Sequence, residues 1–268
     1  MALWVALFSG FKPTITPDMA ILFVAAEAAE LKPFEQHLIN ARKLKWPIDY
    51  AYEGILEGRR ILLAANGAGP KLVAQAIEVA NRAIRAAELS SSKLEAIVSV
   101  GFCGALEPGF QPGQIIVGTE VLDPRDGTRF PCQPIAATCE HQSGVVASQD
   151  RVAIDSGEKA ALSASGAIAV DMESFAVAEA AKRAAVPFFC IKAVSDLASE
   201  SFRIDLNKMR TPEGRIARGK IVLYVLTRPW MLGELLRLRR RSLQAAGALG
   251  EFLVSCRINL NGDPATIE

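Results

Sequence analysis

The chain has 268 residues, 50% of them hydrophobic, which is enough for one sizeable α/β domain. Its 30 basic and 29 acidic residues leave a formal net charge of +1, which argues against a large nucleic-acid-binding surface. The five cysteines lack C-x-x-C spacing and the two histidines are far apart, which favours a reduced, cytoplasmic protein without structural zinc.

The first eighteen residues form an apolar segment that does not match a signal peptide, because it lacks both a preceding positive charge and a small-x-small cleavage site. The segment is also too short to span a bilayer. Met19 directly precedes a strand-like run, so we predict that Met19 is the natural start and that residues 1–18 are an extension. The domain is then expected to cover residues 19–254, and residues 255–268 form a tail.

Strand and helix patterns alternate along the chain, which predicts a layered α/β sheet. Short apolar runs rich in β-branched residues predict buried strands at 21–26, 60–65, 96–100, 114–122, 144–147, 167–170 and 188–194. Segments with helical spacing lie at 29–42, 70–89 and 174–185. We see no internal repeat and no linker, so one domain is expected.

Turn residues and irregular segments divide these elements. The segment 66–70 ends a strand and supplies a proline suited to a first helical turn. Residues 124–142 are polar and irregular, which predicts a mobile loop over a site. Thr-Pro-Glu at residues 211–213 predicts a helix running toward Leu226, and a leucine- and arginine-rich helix follows Pro229.

The chemistry is expected to rest on carboxylates, since neither histidine lies beside a Gly-x-Ser-x-Gly elbow. Acidic residues follow three of the predicted strands: Glu27, Glu30, Asp171, Glu173 and Asp196. Ligands bind at the carboxyl ends of strands in open α/β sheets. Each acid alone has an ordinary explanation as a helix start or a polar strand exit. Together they predict one site.

Glycines interrupt the strand around Phe102, as a close approach of substrate to backbone would require. The segment lacks the Lys-Ser/Thr ending of a P-loop, and residues 66–69 do not match the dinucleotide fingerprint. Both segments remain open to interpretation as tight turns. A flavodoxin-like or dinucleotide-binding protein fits the alternation but lacks a convincing phosphate loop.

Two tetrapeptides in order carry a family resemblance: Val-Asp-Met-Glu at residues 170–173 and Ala-Val-Ser-Asp at residues 193–196. They resemble Val-Glu-Met-Glu and Ala-Ile-Ser-Asp of the nucleoside phosphorylase superfamily, in particular its branch with methylthioadenosine/S-adenosylhomocysteine nucleosidase and futalosine hydrolase. The resemblance covers about residues 19–198. It implies a single three-layer α/β domain, with a central mixed, twisted sheet flanked by helices, that cleaves the N-glycosidic bond of a purine nucleoside.

The resemblance also implies a role for each matching residue. Glu173 would bind the ribose 2′ and 3′ hydroxyls, and Met172 would pack against the sugar. Asp196, supported by Ser195, would protonate or hydrogen-bond N7 of the purine. Glu30 would orient the attacking water. One carboxylate near an oxocarbenium-like ribose and one acid at the departing nitrogen both lower the barrier.

Several further residues complete the predicted site. Gly101, Phe102, Val152 and Asp171 are candidate substrate-binding residues, and Glu27 is the alternative to Glu30 if the match of that short run has slipped by a few residues. To donate a proton, Asp196 has to keep it in a low-dielectric site, which a buried strand end can supply. No metal or cofactor is expected, and the partner is a small-molecule nucleoside.

The nucleophile follows from two missing residues. Phosphorylases of this superfamily typically have an arginine before the Gly-Ser-Cys-Gly loop and a serine within it, whereas Ser99 and Phe102 occupy this region here. Water is therefore the simpler nucleophile, unless Arg125, Arg129, Arg151 or a neighbouring subunit supplies the charge for inorganic phosphate. A second class of function also stays open, a catalytically impaired nucleoside-binding relic in which Phe102 obstructs the nucleophile.

The C-terminal part resembles the hopanoid-associated phosphorylase subgroup over roughly residues 202–253, through Arg-Thr-Pro-Glu-Gly-Arg at 210–215 and the arginine-rich helix. This resemblance implies adenosylhopane as the substrate. The arginines at 237 and 239–241 would then rest on anionic lipid headgroups, although a solvated basic face on a helix packed against the core is the favoured explanation. Family members commonly assemble, so a homo-oligomer is expected.

Overall fold

The computed structural model describes residues 19–86, 93–211, 215, 217, 219, 224 and 227–258. The predicted extension at residues 1–18 and the end of the predicted tail lie outside the described residues. Most of the helix predicted from Thr211 toward Leu226 also lies outside them, and Thr211 itself is not helical.

In the described part of the chain, ten strands form one mixed sheet and two strands form a separate pair. The strands are β1 (Met19–Ala25), β2 (Ile39–Lys43), β3 (Tyr50–Leu56), β4 (Arg59–Ala65), β5 (Lys93–Ala105), β6 (Ile115–Leu122), β7 (Arg129–Pro131), β8 (Ile135–Ala137), β9 (Gln142–Ser148), β10 (Ala167–Asp171), β11 (Phe188–Asp196) and β12 (Cys256–Ile258). The helices are α1 (Ala28–Glu35), α2 (Pro70–Arg85), α3 (Ser156–Ser163), α4 (Ser174–Ala184) and α5 (Leu232–Ser255), preceded by a 3-10 turn at Pro229–Met231.

The sheet has the order β10-β9-β6-β11-β5-β1-β4-β3-β2, with β7 paired to β6. Strand β1 is buried along nearly its whole length because it pairs in parallel with β4 and β5 and is covered on both faces. Such a strand has no polar face, which explains its unbroken apolar sequence. Strands β3 and β2 extend this side in antiparallel fashion.

The other half of the sheet closes on itself. Strands β5, β11, β6, β9 and β10 are paired in succession, and β10 also pairs with the end of β5 through Ala169–Ala105 and Val170–Gly104. Strand β5 reaches both halves because it is 13 residues long. This closure brings the ends of β5, β10 and β11 together, beside the end of β1.

Helices cover both faces of the sheet. On one face, α2 packs against α4, and on the other face α1 packs against α5. Helix α2 faces the sheet with apolar residues spaced three or four apart: Leu72, Val73, Ala76, Ile77, Ala80 and Ala83. The predicted three-layer α/β fold with a mixed sheet is confirmed. Within the described residues, no helix has the length and apolar composition needed to cross a bilayer.

The sequence prediction was wrong for the segment after β1. A single helix was predicted over residues 29–42, whereas α1 ends at Glu35 and the chain continues into the exposed edge strand β2. Strand β3 was not predicted, because Glu53 and Gly54 interrupt its apolar pattern. Glu53 is nevertheless buried there, and Arg60 Nε donates a 3.0 Å hydrogen bond to its Oε2.

The segment 124–142 is less irregular than predicted. It contains β7 and β8, and β8 pairs in antiparallel fashion with β12. Strand β12 lies in the segment assigned to the tail, so the ordered fold continues through residue 258. Three-residue strands are too short to give a periodic signal, and β8 and β12 lie far apart in sequence.

Candidate active site

A cavity of about 340 Å³ lies where β5, β10 and β11 end, next to the start of α1. It is lined by most of the residues predicted from sequence: Glu27, Glu30, Phe102, Val152, Asp171, Met172, Glu173, Ser195 and Asp196. The acids that follow three different strands therefore meet around one space. The segment 124–142, which was predicted to cover the site, contributes no lining residue, so that prediction was wrong.

Glu30 lies in the first turn of α1 and is only 4% exposed. Its Oε1 accepts a 2.8 Å hydrogen bond from the Phe102 backbone N–H, and its Oε2 accepts a 2.7 Å bond from the Glu27 N–H. Burial raises the pKa of Glu30 to about 7, although both backbone bonds act in the opposite direction. Glu30 is therefore a fixed carboxyl group able to change protonation near neutral pH.

Gly101 supports Glu30 instead of contacting the cavity. It has a φ of +129°, and a Cβ at this position would lie 2.7 Å from Glu30 Oε1. A side chain would thus both strain the backbone and displace the carboxylate. The prediction that Gly101 contacts substrate is not supported, since it does not line the cavity, whereas the next residue, Phe102, does.

Glu173 lies between β10 and α4 and is also buried, at 7% exposure. Its Oε1 accepts a 2.7 Å hydrogen bond from the Gly69 N–H, which ties it to the turn before α2. Burial raises the pKa of Glu173 to about 8, and the nearby Asp171 carboxylate acts in the same direction. The carboxyl group lines the cavity beside Met172.

Asp171 has its side chain turned into the protein. Its Oδ2 lies 2.7 Å from Lys192 Nζ and 2.5 Å from Ser174 Oγ, and its side chain has no exposed surface. Lys192 also donates to Ser99 Oγ at 3.0 Å and to the Val100 carbonyl at 3.2 Å. This geometry does not support the predicted contact between the Asp171 carboxylate and substrate, because protein partners occupy it.

Lys192 was not predicted as a site residue. Burial by itself would lower its pKa, but the negative neighbours, Asp171 foremost, hold that pKa above its usual range. The available signal was a lysine within the otherwise apolar run 188–194. A charge on a fully buried strand needs a buried partner.

Asp196 is held from two sides. Lys159 Nζ lies 2.5 Å from Oδ2, and Ser195 Oγ donates a 2.8 Å hydrogen bond to Oδ1. Lys159 comes from α3, is 1% exposed at its side chain, and also donates to the Leu197 carbonyl at 2.6 Å. Sequence analysis missed Lys159, because a lysine within a helix is usually solvated and nothing local links it to Asp196.

One wall of the cavity comes from the C-terminal part of the chain and was not predicted. It consists of Phe202, Leu206, Leu238 and Ser242. The last two lie on α5, the leucine- and arginine-rich helix. This part of the lining is mainly apolar, whereas the strand ends contribute the carboxyl groups.

The arginines considered as phosphate ligands lie in different places. Arg151 lines the cavity, is 60% exposed at its side chain and forms a 2.6 Å ion pair with Glu158. Arg125 forms an ion pair with Asp123, and Arg129 forms one with Glu120. Neither arginine lines the cavity. In the described part of the chain, no group of three His, Cys, Asp or Glu residues could hold a metal ion.

Carboxyl groups gathered at strand ends, around a cavity of small-molecule size in a mixed α/β sheet, define an enzyme site for a small ligand. Residues 20–227 match the sequence profile described as the Phosphorylase superfamily, and the chain belongs to this superfamily. The resemblance to nucleoside phosphorylases and nucleosidases found in the sequence is thereby confirmed, as is membership of an enzyme superfamily.

Relatives and solved structures agree with this membership. The chain is 27% identical to the 5′-methylthioadenosine/S-adenosylhomocysteine nucleosidase of Staphylococcus aureus over 176 residues, which covers 55% of this chain and 73% of that protein. The S-adenosylhomocysteine nucleosidase of Streptococcus pyogenes gives a TM-score of 0.64 at 17% identity and covers 89% of this chain and 95% of that one. The futalosine hydrolase of Helicobacter pylori gives 0.63 at 15% identity, with coverages of 88% and 96%. These structures share the fold.

Proposed function

We propose that the chain cleaves the N-glycosidic bond of an adenine nucleoside that carries a substituent at the ribose 5′ carbon. The observation that carries this proposal is the meeting of Glu30, Glu173 and Asp196 in one cavity. Relatives named as nucleosidases of 5′-substituted adenine nucleosides support the substrate class.

The sugar is assigned to the side of the cavity that contains Glu173. This carboxyl group binds the ribose 2′ and 3′ hydroxyls, and Met172 packs against the ring. Glu30 lies on the same side and orients the attacking water. As the bond breaks, the ribose becomes oxocarbenium-like, so two nearby carboxylates stabilise the transition state more than the ground state.

The base is assigned to the side that contains Asp196. Asp196, with Ser195 bonded to its other oxygen, protonates or hydrogen-bonds N7 of the departing adenine. General acid assistance of this kind typically accelerates a reaction by about 100- to 10,000-fold. Val152 and Phe102 line the cavity and are assigned to the walls around the nucleoside.

Water is the proposed nucleophile. Ser99 is fully buried and is bonded to Ser174 and Lys192, and the Lys192 charge is matched by Asp171. A phosphate dianion needs unmatched cations or amide donors, and Arg151 is already paired with Glu158. Inorganic phosphate stays the alternative co-substrate, to be tested directly.

The 5′ substituent is proposed to be apolar, with adenosylhopane as the specific candidate. The apolar wall formed by Phe202, Leu206 and Leu238 supports an apolar group, and the resemblance to the hopanoid-associated subgroup supports the lipid. Apolar surface buried by a ligand contributes roughly 25 cal/mol per Å² before the costs of ordering, so such a wall favours a hydrocarbon over a charged tail.

A peripheral membrane contact is proposed for α5 and the turn before it. Trp230 is 71% exposed and Leu236 is 56% exposed, and they accompany the exposed Arg239 and Arg240. Exposed aromatic and aliphatic residues beside arginines suit an anionic membrane surface. Flotation with vesicles containing phosphatidylglycerol tests this: association is expected, and its absence overturns the membrane contact alone.

One assay tests the enzymatic proposal. Adenine release is measured with and without phosphate on methylthioadenosine, adenosine, futalosine and an adenosyl lipid. Release without phosphate supports hydrolysis, whereas strict phosphate dependence supports a phosphorylase. Binding without release from any substrate would identify the chain as a nucleoside-binding relic.

The remaining expectations belong to the same proposal. Cytoplasmic location is supported by five cysteines that are all free. A homo-oligomer is inferred from the family resemblance, and light scattering of the purified chain tests it. A monomer at micromolar concentration would refute the oligomer and leave the chemistry intact.

A further inference from the structure

We propose that Lys159 is a positioning residue for the reaction: its ammonium orients the Asp196 carboxyl group and stabilises the carboxylate that forms as Asp196 gives its proton to the leaving base. This inference rests on the function proposed above, and it assigns a part of the site to α3, a helix that no sequence motif pointed to.

The first support is the burial of the ion pair. Lys159 is 1% exposed and Asp196 is 12% exposed at their side chains, and 2.5 Å separates Nζ from Oδ2. Removing two charges from water costs several kcal/mol per ion, so an apolar residue at position 159 would serve packing alone at least as well. The lysine is directed at the acid that lines the cavity.

The second support is the geometry around the Asp196 carboxyl group. Lys159 holds Oδ2 while Ser195 holds Oδ1, so both oxygens are fixed in direction. Gly104 leaves the space for this arrangement, because a Cβ there would lie 2.8 Å from Oδ2. The carboxyl group is thereby held at the cavity wall in one orientation.

The third support is the shielding of the lysine. The centre of the Phe202 ring lies 5.4 Å from Lys159 Nζ, and Phe202 lines the cavity whereas Lys159 does not. The ammonium donates one hydrogen bond to Asp196 Oδ2 and another to the Leu197 carbonyl. Lys159 therefore acts through Asp196 and does not touch the substrate.

Asp196 gives a proton to N7 of the base, so that its O–H bond breaks as the N7–H bond forms, and solvent restores this proton after the base has left. The C1′–N9 bond breaks with its electron pair moving to the base. Water adds to C1′ and gives a proton to Glu30, which returns it to solvent. A negative charge thus develops on Asp196 in the transition state, 2.5 Å from the ammonium.

The experiment compares Lys159→Met with Lys159→Arg, and with Lys182→Met as the control for losing an exposed lysine. The probe is methylthioadenosine. We expect Lys159→Met to lower kcat by roughly 100-fold while KM stays within about 3-fold, because the lost interaction arises in the transition state. Lys159→Arg keeps the positive charge, so its kcat is expected to be at least about 10-fold higher than that of Lys159→Met.

Two further measurements separate positioning from structural damage. On 4-nitrophenyl riboside, whose phenolate leaves without a proton, Lys159→Met is expected to retain the wild-type kcat. In an Asp196→Asn background, Lys159→Met is expected to have little additional effect, because both residues act at one step. Should Lys159→Met fail to fold, Lys159→Gln takes its place in both measurements.

Lys159→Met within about 3-fold of wild type on methylthioadenosine would overturn the proposal, as would equal losses on both substrates. If the wild-type chain releases no adenine from any nucleoside, the proposed function fails as well. An active wild type with an equally active Lys159→Met refutes the lysine alone.

Discussion

Asp171 and Lys192 form an ion pair of 2.7 Å in which neither side chain has any exposed surface. The pair joins β10 to β11, two of the three strands that are followed by acids of the cavity. The electrostatic support for the site is therefore built into the sheet.

Lys192→Met is expected to destabilise the chain by about 3–5 kcal/mol, because it leaves the Asp171 charge buried without its partner. Urea unfolding measures this change. The control is Arg82→Ala, which removes an ion pair with Glu78 on the surface of α2 and is expected to change stability by less than about 1 kcal/mol. Equal stability of the two variants would contradict the structural role of the buried pair.

Glu30→Gln is expected to reduce adenine release by at least roughly 100-fold with little change in KM, because the amide cannot accept a proton from water. Single-substrate kinetics on methylthioadenosine measure it. Glu27→Gln provides the comparison, since Glu27 also lines the cavity. A larger loss for Glu27→Gln than for Glu30→Gln would transfer the role to Glu27.

Activity is expected to rise with pH between about 7 and 8, since burial raises the pKa of Glu30 to about 7 and that of Glu173 to about 8, and the proposed mechanism uses both in their ionised forms. The pH dependence of kcat/KM measures this acidic limb. A flat profile between pH 5 and pH 9 would argue against Glu30 as the group that titrates.

Stability is expected to fall as pH rises from about 5 to 8. The pKa of Glu30 is raised from 4.5 to about 7 by burial, so folding favours the protonated form and this contribution is lost as pH rises through about 7. Glu30→Gln removes this contribution, so the stability of the variant relative to wild type is expected to rise by up to about 3 kcal/mol between pH 5 and pH 8, whatever the loss of one backbone hydrogen bond costs at both pH values. Identical pH dependences of unfolding would refute the raised pKa.

Gly101→Ala is expected to lower activity strongly, because its Cβ would displace the Glu30 carboxylate 2.7 Å away. Gly109→Ala is a matched control: Gly109 also has a positive φ, but no atom lies within 4 Å of the added Cβ. Both variants carry a backbone strain of about 1 kcal/mol or more. Only Gly101→Ala is expected to lose turnover. Equal activities of the two variants would show that the close approach of Gly101 to Glu30 does not matter for the reaction.

The acids of the site were predictable from sequence because each follows a continuous apolar strand. Asp196 follows β11, which runs parallel to β5 and β1, so its place at the edge where these strands end follows from the strand pattern. Strand β10 runs antiparallel to β5, so Glu173 reaches the same cavity only through the closure of the sheet, which the sequence did not predict. The fold class was predictable for the same reason, since buried strands and amphipathic helices leave separate periodic patterns.

The residues that hold these acids were not predictable in this way. Lys159 is 37 residues from Asp196 in sequence, and Lys192 is 21 residues from Asp171. Only the fold brings the members of each pair together. The pairing of β8 with β12 was missed because its strands have three residues each. The helix predicted over residues 29–42 was wrong after Glu35, because the exposed edge strand β2 has no buried face to give a strand pattern.

Strand β2 forms the open edge of the sheet, and its properties limit how copies of the chain can meet. All five of its residues are exposed, its pairing with β3 shifts register between Ile39 and Arg42, and Asn40 has a φ of 56°. A short, irregular strand bearing Arg42 and Lys43 is a poor template for adding a strand from a second molecule. Self-association of this protein is therefore expected to use helix or loop surfaces, leaving the strand register of each copy unchanged.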